Sequence, residues 1–159
     1  MLSKEFEISH SEFLNLIISQ FKLDIDTDHG IKHWRRVLEI GNYLTEETKA
    51  DIEVVSFFAY LHDAKRESEL HDPDHGARAA DFTKELYKRG IIILTENQLE
   101  KLVIACRDHN NSGSKSQDIT VQTCWDADRL DLWRTGIIPD PALLNTEFGK
   151  TDEAINFLR

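Results

Sequence analysis

The stretch DIEVVSFFAYLHDAKR, residues 51–66, indicates how this chain folds. Between Ile52 and Leu61 its apolar side chains would lie on nearly every side of a helix, and a helix of this kind is normally buried within a protein. Two polar residues, His62 and Asp63, follow directly. We therefore predict a central buried helix that carries an imidazole and a carboxylate at its C-terminal end.

Helical periodicity extends over most of the remaining chain, whereas strand signals are nearly absent. The run Ile91–Leu94 is the one stretch with β character, and because it follows Gly90 we interpret it as a connector between helices. The predicted class is all-α, with about six to seven helices packed around the central one. The other predicted helices begin after Ser11, near Ile31, after Pro73, after Thr95 and near Asp118, and short helices follow Pro141 and Thr151.

Size, charge and cysteine content restrict the class of protein. The 159 residues predict one domain, 1–159, and 19 basic against 29 acidic residues give a net charge of −10. Such a charge disfavours polymeric nucleic acid and anionic membranes as partners. The apolar runs are far shorter than the roughly 20 residues of a membrane span, and we expect no signal peptide. Cys106 and Cys124 are too few for a disulfide framework, so we expect a reduced, cytoplasmic setting.

Five of the predicted helices carry a histidine or an aspartate at one end of an apolar stripe. Taken alone, each could be a core residue whose hydrogen bonds are satisfied. Taken together, four inward imidazoles and two inward carboxylates need a shared cation, because buried charge is costly. Imidazole with carboxylate suits Mn, Fe, Ni or Zn. The residues are His33, His62, Asp63, His75, His109 and Asp128.

The order of these residues resembles the HD-domain superfamily of metal-dependent phosphohydrolases. Its signature is a histidine, then an adjacent His-Asp pair, then a distant aspartate, on an all-α fold. Three segments, DHGIKHWRRV (28–37), DPDHGARAADF (72–82) and CWDADRLDLWRTGIIPD (124–140), are similar to a group of small, mostly uncharacterised HD proteins. The resemblance covers about residues 28–146, which would be the motif-bearing core of the domain.

The resemblance implies a ligand set for a divalent metal, which could be Mn, Fe, Ni, Co, Zn or Mg. Asp126 competes with Asp128 for the last position, and we prefer Asp128 because it directly precedes Arg-Leu, as the family aspartate does. His75 and His109 match positions that some members use for a second metal, bridged by the aspartate of the HD pair, and that others leave to substrate contacts. The resemblance is therefore compatible with either one or two bound ions. The four implied ligands are His33, His62, Asp63 and Asp128.

The resemblance also implies the hydrolysis of a phosphomonoester, phosphodiester or pyrophosphate bond in a small phosphorylated metabolite or nucleotide. Asp63 would hold the metal and accept a proton from water. Some members carry an acidic residue three places after this aspartate, but here that position is Arg66, next to Lys65, which favours a cationic phosphate clamp. Glu67 remains an alternative acid.

Two further residues are predicted to bind substrate. His29 lies four residues before His33 and could contact phosphate, although it could equally be a loop residue or cap. Arg129 follows Asp128, so the two side chains diverge by about 100° on a helix. We expect Arg129 at the rim of the pocket or in a structural contact.

Two other functions are kept open. The six His and Asp residues would also suit a di-iron oxygenase, which some HD-fold proteins are. Other HD domains are non-catalytic modules that bind a nucleotide or metal and regulate a partner. The oligomeric state is open between monomer and homodimer, since the apolar stripe of the first helix must be covered either by the chain's own core or by a second copy.

Overall fold

A computed structural model describes residues 2–159, which form eight α-helices and two short 3₁₀-helices and contain no strand. This confirms the predicted all-α class. The connector at Ile91–Leu94 is likewise confirmed. The α-helices are α1 (Leu2–Ser9), α2 (Ser11–Gln20), α3 (Ile31–Thr48), α4 (Ile52–Leu61), α5 (His75–Lys88), α6 (Glu96–Asp108), α7 (Ile119–Arg129) and α8 (Asp152–Ile155), and the 3₁₀-helices are Leu130–Thr135 and Pro141–Leu143.

Helix α4 is the centre of the fold. All its residues from Val54 to Leu61 are buried, and α3, α6 and α7 pack around it. Its N-terminus is capped by Asp51, whose carboxylate accepts hydrogen bonds from the backbone amides of Glu53 and Val54. The predicted central helix is therefore confirmed, and its burial fixes the position of the two polar residues that follow it.

Helices α5 and α6 lie close together because a glycine faces the contact. A Cβ on Gly76 would lie 2.6 Å from the carbonyl oxygen of Arg107 and 2.6 Å from Oδ1 of Asn110. Helix α6 begins with the capping box that the sequence indicates, in which Thr95 accepts from the backbone amide of Gln98 and Gln98 accepts in return. This close contact brings the first residue of α5 next to the end of α6.

The N-terminal region differs from the prediction. Helix α1 was not among the predicted helices, and none of its residues is completely buried. His10 lies partly buried at the junction of α1 and α2, with its ring stacked on Phe6 at 4.2 Å between centroids. The apolar stripe of α2 is covered by the chain itself, since Phe13 and Ile17 are buried and Phe13 packs edge-on against Phe57.

The helix predicted to begin near Asp118 is α7. It ends at Arg129 and continues as the 3₁₀-helix Leu130–Thr135, which stops at Gly136 in the left-handed conformation. Both cysteines are buried and free, which agrees with the expected lack of disulfides. No described helix combines the length and the apolar character that crossing a bilayer requires.

We predict that Gly76→Ala destabilises the protein by about 1–3 kcal/mol, because the added methyl group must push α5 away from α6. Urea unfolding followed by circular dichroism measures the change. The control is Gly113→Ala in an exposed loop, where the new Cβ would approach only one atom, a side-chain oxygen of Asn111 at 3.3 Å. Equal stability of the two variants would show that the helix contact tolerates a Cβ.

Candidate metal centre

Six polar side chains meet where the ends of five helices converge. Each is delivered by a helix terminus, and five of the six are almost completely buried. His33 lies in the first turn of α3, His62 and Asp63 directly follow α4, His75 begins α5, His109 directly follows α6, and Asp128 lies in the last turn of α7.

Four of these residues surround one point. Nε2 of His33 lies 3.1 Å from Nε2 of His62, and these nitrogens lie 3.2 and 3.4 Å from Oδ1 of Asp128. Oδ2 of Asp63 completes the group at 3.6 and 3.5 Å from the same two nitrogens. The side chain of Asp128 is 19% exposed, whereas both imidazoles are fully buried. The group is therefore reached from solvent on the Asp128 side.

The other oxygen of Asp63 belongs to a second group. Oδ1 lies 3.2 Å from Nε2 of His75 and 3.4 Å from Nε2 of His109, and these two nitrogens are 2.9 Å apart. A single carboxylate thus takes part in both groups, with one oxygen in each. The arrangement offers positions for one or two ions.

The hydrogen bonds of the four imidazoles show how the groups fit a metal. Every Nδ1 faces an oxygen that can only accept, so each Nδ1 carries a proton, and each imidazole in its neutral form presents the lone pair of Nε2 to the interior. The close Nε2 pairs would then set lone pair against lone pair, unless a cation or a proton lies between them. Nδ1 of His33 donates to Oδ2 of Asp131 at 2.6 Å, and Nδ1 of His62 faces the carbonyls of Phe58 and Ala59. Nδ1 of His75 faces the carbonyl of Asp72, and Nδ1 of His109 faces the carbonyl of Cys106.

Charge is distributed unevenly over the two groups. Burial would raise the pKa of Asp63 and of Asp128, but His62 and its neighbouring imidazoles hold both carboxyl pKa values well below the usual range. Burial would lower the pKa of His62, but Asp63 and Asp128 raise it to about 9. Burial also lowers the pKa of His109. The two carboxylates therefore remain ionised, as metal ligands must be.

A model of the HD domain matches residues 30–133, which contain all six side chains. The chain belongs to the HD domain family. A crystal structure at 1.45 Å resolution of a predicted HD superfamily hydrolase from an uncultured Thermotogales bacterium is similar, with 26% identity and a TM-score of 0.71 over 92% of this chain and 83% of that one. No curated protein matches. HD membership supports a metal-dependent hydrolase, and HD domains bind divalent metals.

The alternative ligand of this HD domain, Asp126, lies elsewhere. Its carboxylate is fully buried and accepts four hydrogen bonds, from the backbone amide and Nδ2 of Asn145 and from the backbone amide and hydroxyl of Thr146. It therefore anchors the segment after the last 3₁₀-helix. The structure places Asp128, and not Asp126, among the imidazoles, while the roles of all six residues as ligands stay predictions.

One member of the site was missed by the sequence reasoning. Asp131 is 2% exposed, holds Nδ1 of His33 with one oxygen and accepts from Nε of Arg36 at 2.8 Å with the other. A carboxylate behind a metal-binding histidine fixes its tautomer and raises its basicity. The signal was available in DADRLD, because Asp131 follows Asp128 by about one helical turn.

The two residues of the expected phosphate clamp have different contacts, and only one of them touches the six donors. Arg66 lies at the site, since its Nε donates to Oδ1 of Asp63 at 3.3 Å. Lys65 does not: its ammonium lies 4.2 Å from the ring centroid of Phe82, in a groove that none of the six residues lines. Arg66 lines this groove too, but it also lines the cleft next to His75, so of the two cations only Arg66 is next to a candidate metal ligand. The alternative acid Glu67 pairs with Lys22 on the surface.

The two other residues expected to bind substrate, His29 and Arg129, also differ in their contacts. Nδ1 of His29 lies 2.6 Å from Oε2 of Glu69, and its ring is perpendicular to that of His33 at 6.5 Å between centroids. Arg129 donates to the carbonyl of Leu143 at 2.7 Å, away from the six residues. His29 therefore remains a candidate for substrate binding, whereas the observed contact of Arg129 is structural.

We predict that metal affinity rises with pH between 7 and 9. In the metal-free protein His62 is protonated at neutral pH, because its pKa is about 9, and the metal must displace that proton. The dissociation constant should fall by about tenfold per pH unit in this range and then level off. Competition titrations with a chelator measure it, and an affinity that is constant from pH 7 to 9 would contradict the assigned protonation.

We predict that Asp131→Asn weakens metal binding by about 10–100-fold without abolishing it, because the amide still occupies the position next to His33 but does not increase its basicity. The same titration measures the effect. Asp140→Asn is a suitable control, since this exposed aspartate caps the 3₁₀-helix Pro141–Leu143 far from the imidazoles in sequence. Equal affinities in the two variants would exclude the role assigned to Asp131.

Proposed function

We propose that this protein is a metal-dependent phosphohydrolase that acts on a small phosphorylated metabolite or nucleotide. The observation that carries the proposal is the set of six donors, in which Asp63 joins two groups and only Asp128 is appreciably exposed. Membership of the HD family supports hydrolysis, and a net charge of −10 supports a small substrate over polymeric nucleic acid or a membrane.

The donor set fits one or two divalent ions. His33, His62, Asp63 and Asp128 would hold the first ion, and His75 and His109, with the second oxygen of Asp63, would hold another. A bound divalent ion would lower the pKa of water and neutralise charge on phosphate oxygens. Imidazole with carboxylate suits Mn, Fe, Co, Ni or Zn, and Mg to a lesser degree.

Arg66 is suited to binding the phosphate of the substrate. Nε donates to Asp63 and one terminal nitrogen donates to the carbonyl of Ser68 at 3.0 Å, which fixes the plane of the guanidinium. The other terminal nitrogen has no acceptor among the described residues. A fixed guanidinium with free N–H groups matches the geometry of phosphate oxygens.

His29 and Glu69 form a pair that is suited to an oxygen of the substrate. Burial would raise the pKa of Glu69, but Thr27, His29 and Arg66 lower it, so the carboxylate stays ionised beside the ring. With Nδ1 held by Glu69, Nε2 of His29 is the nitrogen available to a phosphate or leaving-group oxygen. Glu69 thereby fixes the orientation of the imidazole.

The same six donors are compatible with a di-iron oxygenase. Elemental analysis of the purified protein distinguishes the two functions, because two irons with an oxygen-dependent reaction would favour the oxygenase. A tightly bound nucleotide without turnover would instead indicate a regulatory module. We propose a monomer or a homodimer as the assembly, to be determined by light scattering.

We predict that Asp63→Ala removes both the metal and the activity, because one side chain contributes to both groups. The test is elemental analysis, followed by a screen of phosphorylated compounds with Mn, Ni, Co, Mg and Fe. Asp126→Asn is the matched control, since it alters another buried carboxylate that has no contact with the imidazoles. It should lower the unfolding midpoint but keep the metal content.

Two results would overturn the proposal. Full activity in Asp63→Ala would exclude the central residue of the site. Absence of turnover by metal-loaded protein, over monoesters, diesters and pyrophosphates, would exclude the function itself.

A further inference from the structure

A cleft of about 590 Å³ opens next to the second group of metal-binding candidates. His75 lies in its wall, and so does Arg66, the residue proposed to bind phosphate. Arg66 also lines the groove that contains Lys65, but that groove contains none of the six donors. A substrate whose phosphate lies at both Arg66 and the second group of donors would therefore extend into the cleft next to His75. The remaining wall consists of His71, Asp72, Pro73, Arg107, Asp108, Asn110, Asn111 and Ser112.

The charges in this wall cancel in pairs. Both Nε and Nη2 of Arg107 donate to the carboxylate of Asp108, at 3.0 and 2.9 Å. Asp72 pairs with Arg78 at 2.6 Å. Beyond Arg66 the cleft therefore offers no uncompensated guanidinium, which disfavours a second phosphate group in the substrate.

The wall also lacks Phe, Tyr and Trp. A nucleobase is normally held by stacking on an aromatic side chain or by an apolar surface. The tryptophans of the chain are engaged elsewhere: Trp34 and Trp125 are buried in the core, and Nε1 of Trp133 donates to the carbonyl of Ile155. The cleft thus has no aromatic side chain on which a nucleobase could stack.

The wall of the cleft also contains neutral polar side chains that could bind a ligand. Oδ1 of Asn111 accepts from the backbone amide of Gly113 at 3.0 Å, which fixes the side chain, while Nδ2 has no acceptor among the described residues. Ser112, the next residue in the chain, is exposed and carries a hydroxyl group. Amide and hydroxyl groups that donate and accept without net charge match the hydroxyl groups of a ligand.

We propose that the substrate is a monophosphate of a sugar or polyol, with its phosphate at Arg66 and its hydroxyl groups against Asn111 and Ser112. This inference rests on the proposed function, because the position of the phosphate depends on it. It narrows the substrate class from any small phosphorylated compound to one with a hydroxylated, non-aromatic and otherwise uncharged remainder.

The test compares four probes on the metal-loaded wild-type protein: a hexose monophosphate, adenosine monophosphate, inorganic pyrophosphate and p-nitrophenyl phosphate. Calorimetry measures binding, which does not require turnover, and phosphate release measures kcat/KM. We expect the hexose monophosphate to bind at least about tenfold more tightly than adenosine monophosphate and pyrophosphate. Tighter binding of either of the latter two would overturn the inference.

A variant then tests the cleft itself. Asn111→Asp keeps the oxygen that accepts from Gly113 but removes the free N–H donor. We expect KM and the dissociation constant for the hexose monophosphate to rise by about tenfold at unchanged kcat, while both constants for p-nitrophenyl phosphate change less than about twofold. The matched control is Asn15→Asp, which adds the same charge at an exposed position of α2. It should leave all constants unchanged.

The outcomes separate this inference from the function on which it rests. Turnover of p-nitrophenyl phosphate without a preference for the hexose monophosphate overturns the inference and leaves phosphohydrolase function intact. Tight binding of the hexose monophosphate that Asn111→Asp weakens, but without turnover of any probe, overturns the function and supports the cleft. Equal effects of Asn111→Asp and Asn15→Asp overturn the assignment of Asn111.

Discussion

The carboxylate of Asp63 is the constraint on which the site depends. It is ionised, almost completely buried and within 3.6 Å of four imidazoles, two on each side. An ionised carboxylate in a protein interior is stable only when opposite charge or several hydrogen-bond donors surround it. The fold meets this requirement by ending or beginning five helices around the C-terminus of α4, and the same convergence creates two adjacent groups of ligand atoms.

Helix ends also explain why these imidazoles present Nε2 to the interior. The last turns of a helix leave carbonyl groups without partners. His62 and His109 directly follow α4 and α6, and their Nδ1 atoms lie next to carbonyls three or four residues earlier, which satisfies such groups and fixes each ring. His75 begins α5, and its Nδ1 faces the carbonyl of Asp72 in the preceding loop. His33, in the first turn of α3, differs from the other three because its Nδ1 faces the carboxylate of Asp131, 98 residues away in the chain.

The net charge of this protein and the charge around its site bear on different kinds of binding. The net charge of −10 concerns long-range attraction to polymers and membranes, and it says little about a single pocket. Around the site most charged side chains form ion pairs with other residues of the protein, such as Arg107 with Asp108 and Arg78 with Asp72. On the proposed function, substrate specificity in this neighbourhood would therefore depend on the few groups that have no internal partner. These are one terminal nitrogen of Arg66 and the polar groups of the loop after α6.

The sequence by itself determined the fold class, the central helix and the residues that meet at the site, because helical periodicity and the position of polar residues on apolar stripes are local properties of the chain. It also favoured Asp128 over Asp126 through the neighbouring Arg-Leu. Only the tertiary structure showed that Arg66, and not Lys65, contacts Asp63, and only it brought Glu69 to His29 and Asp131 to His33. These contacts join segments that are distant in the chain or depend on how it turns after a helix, and no periodicity records the direction in which a side chain leaves a turn.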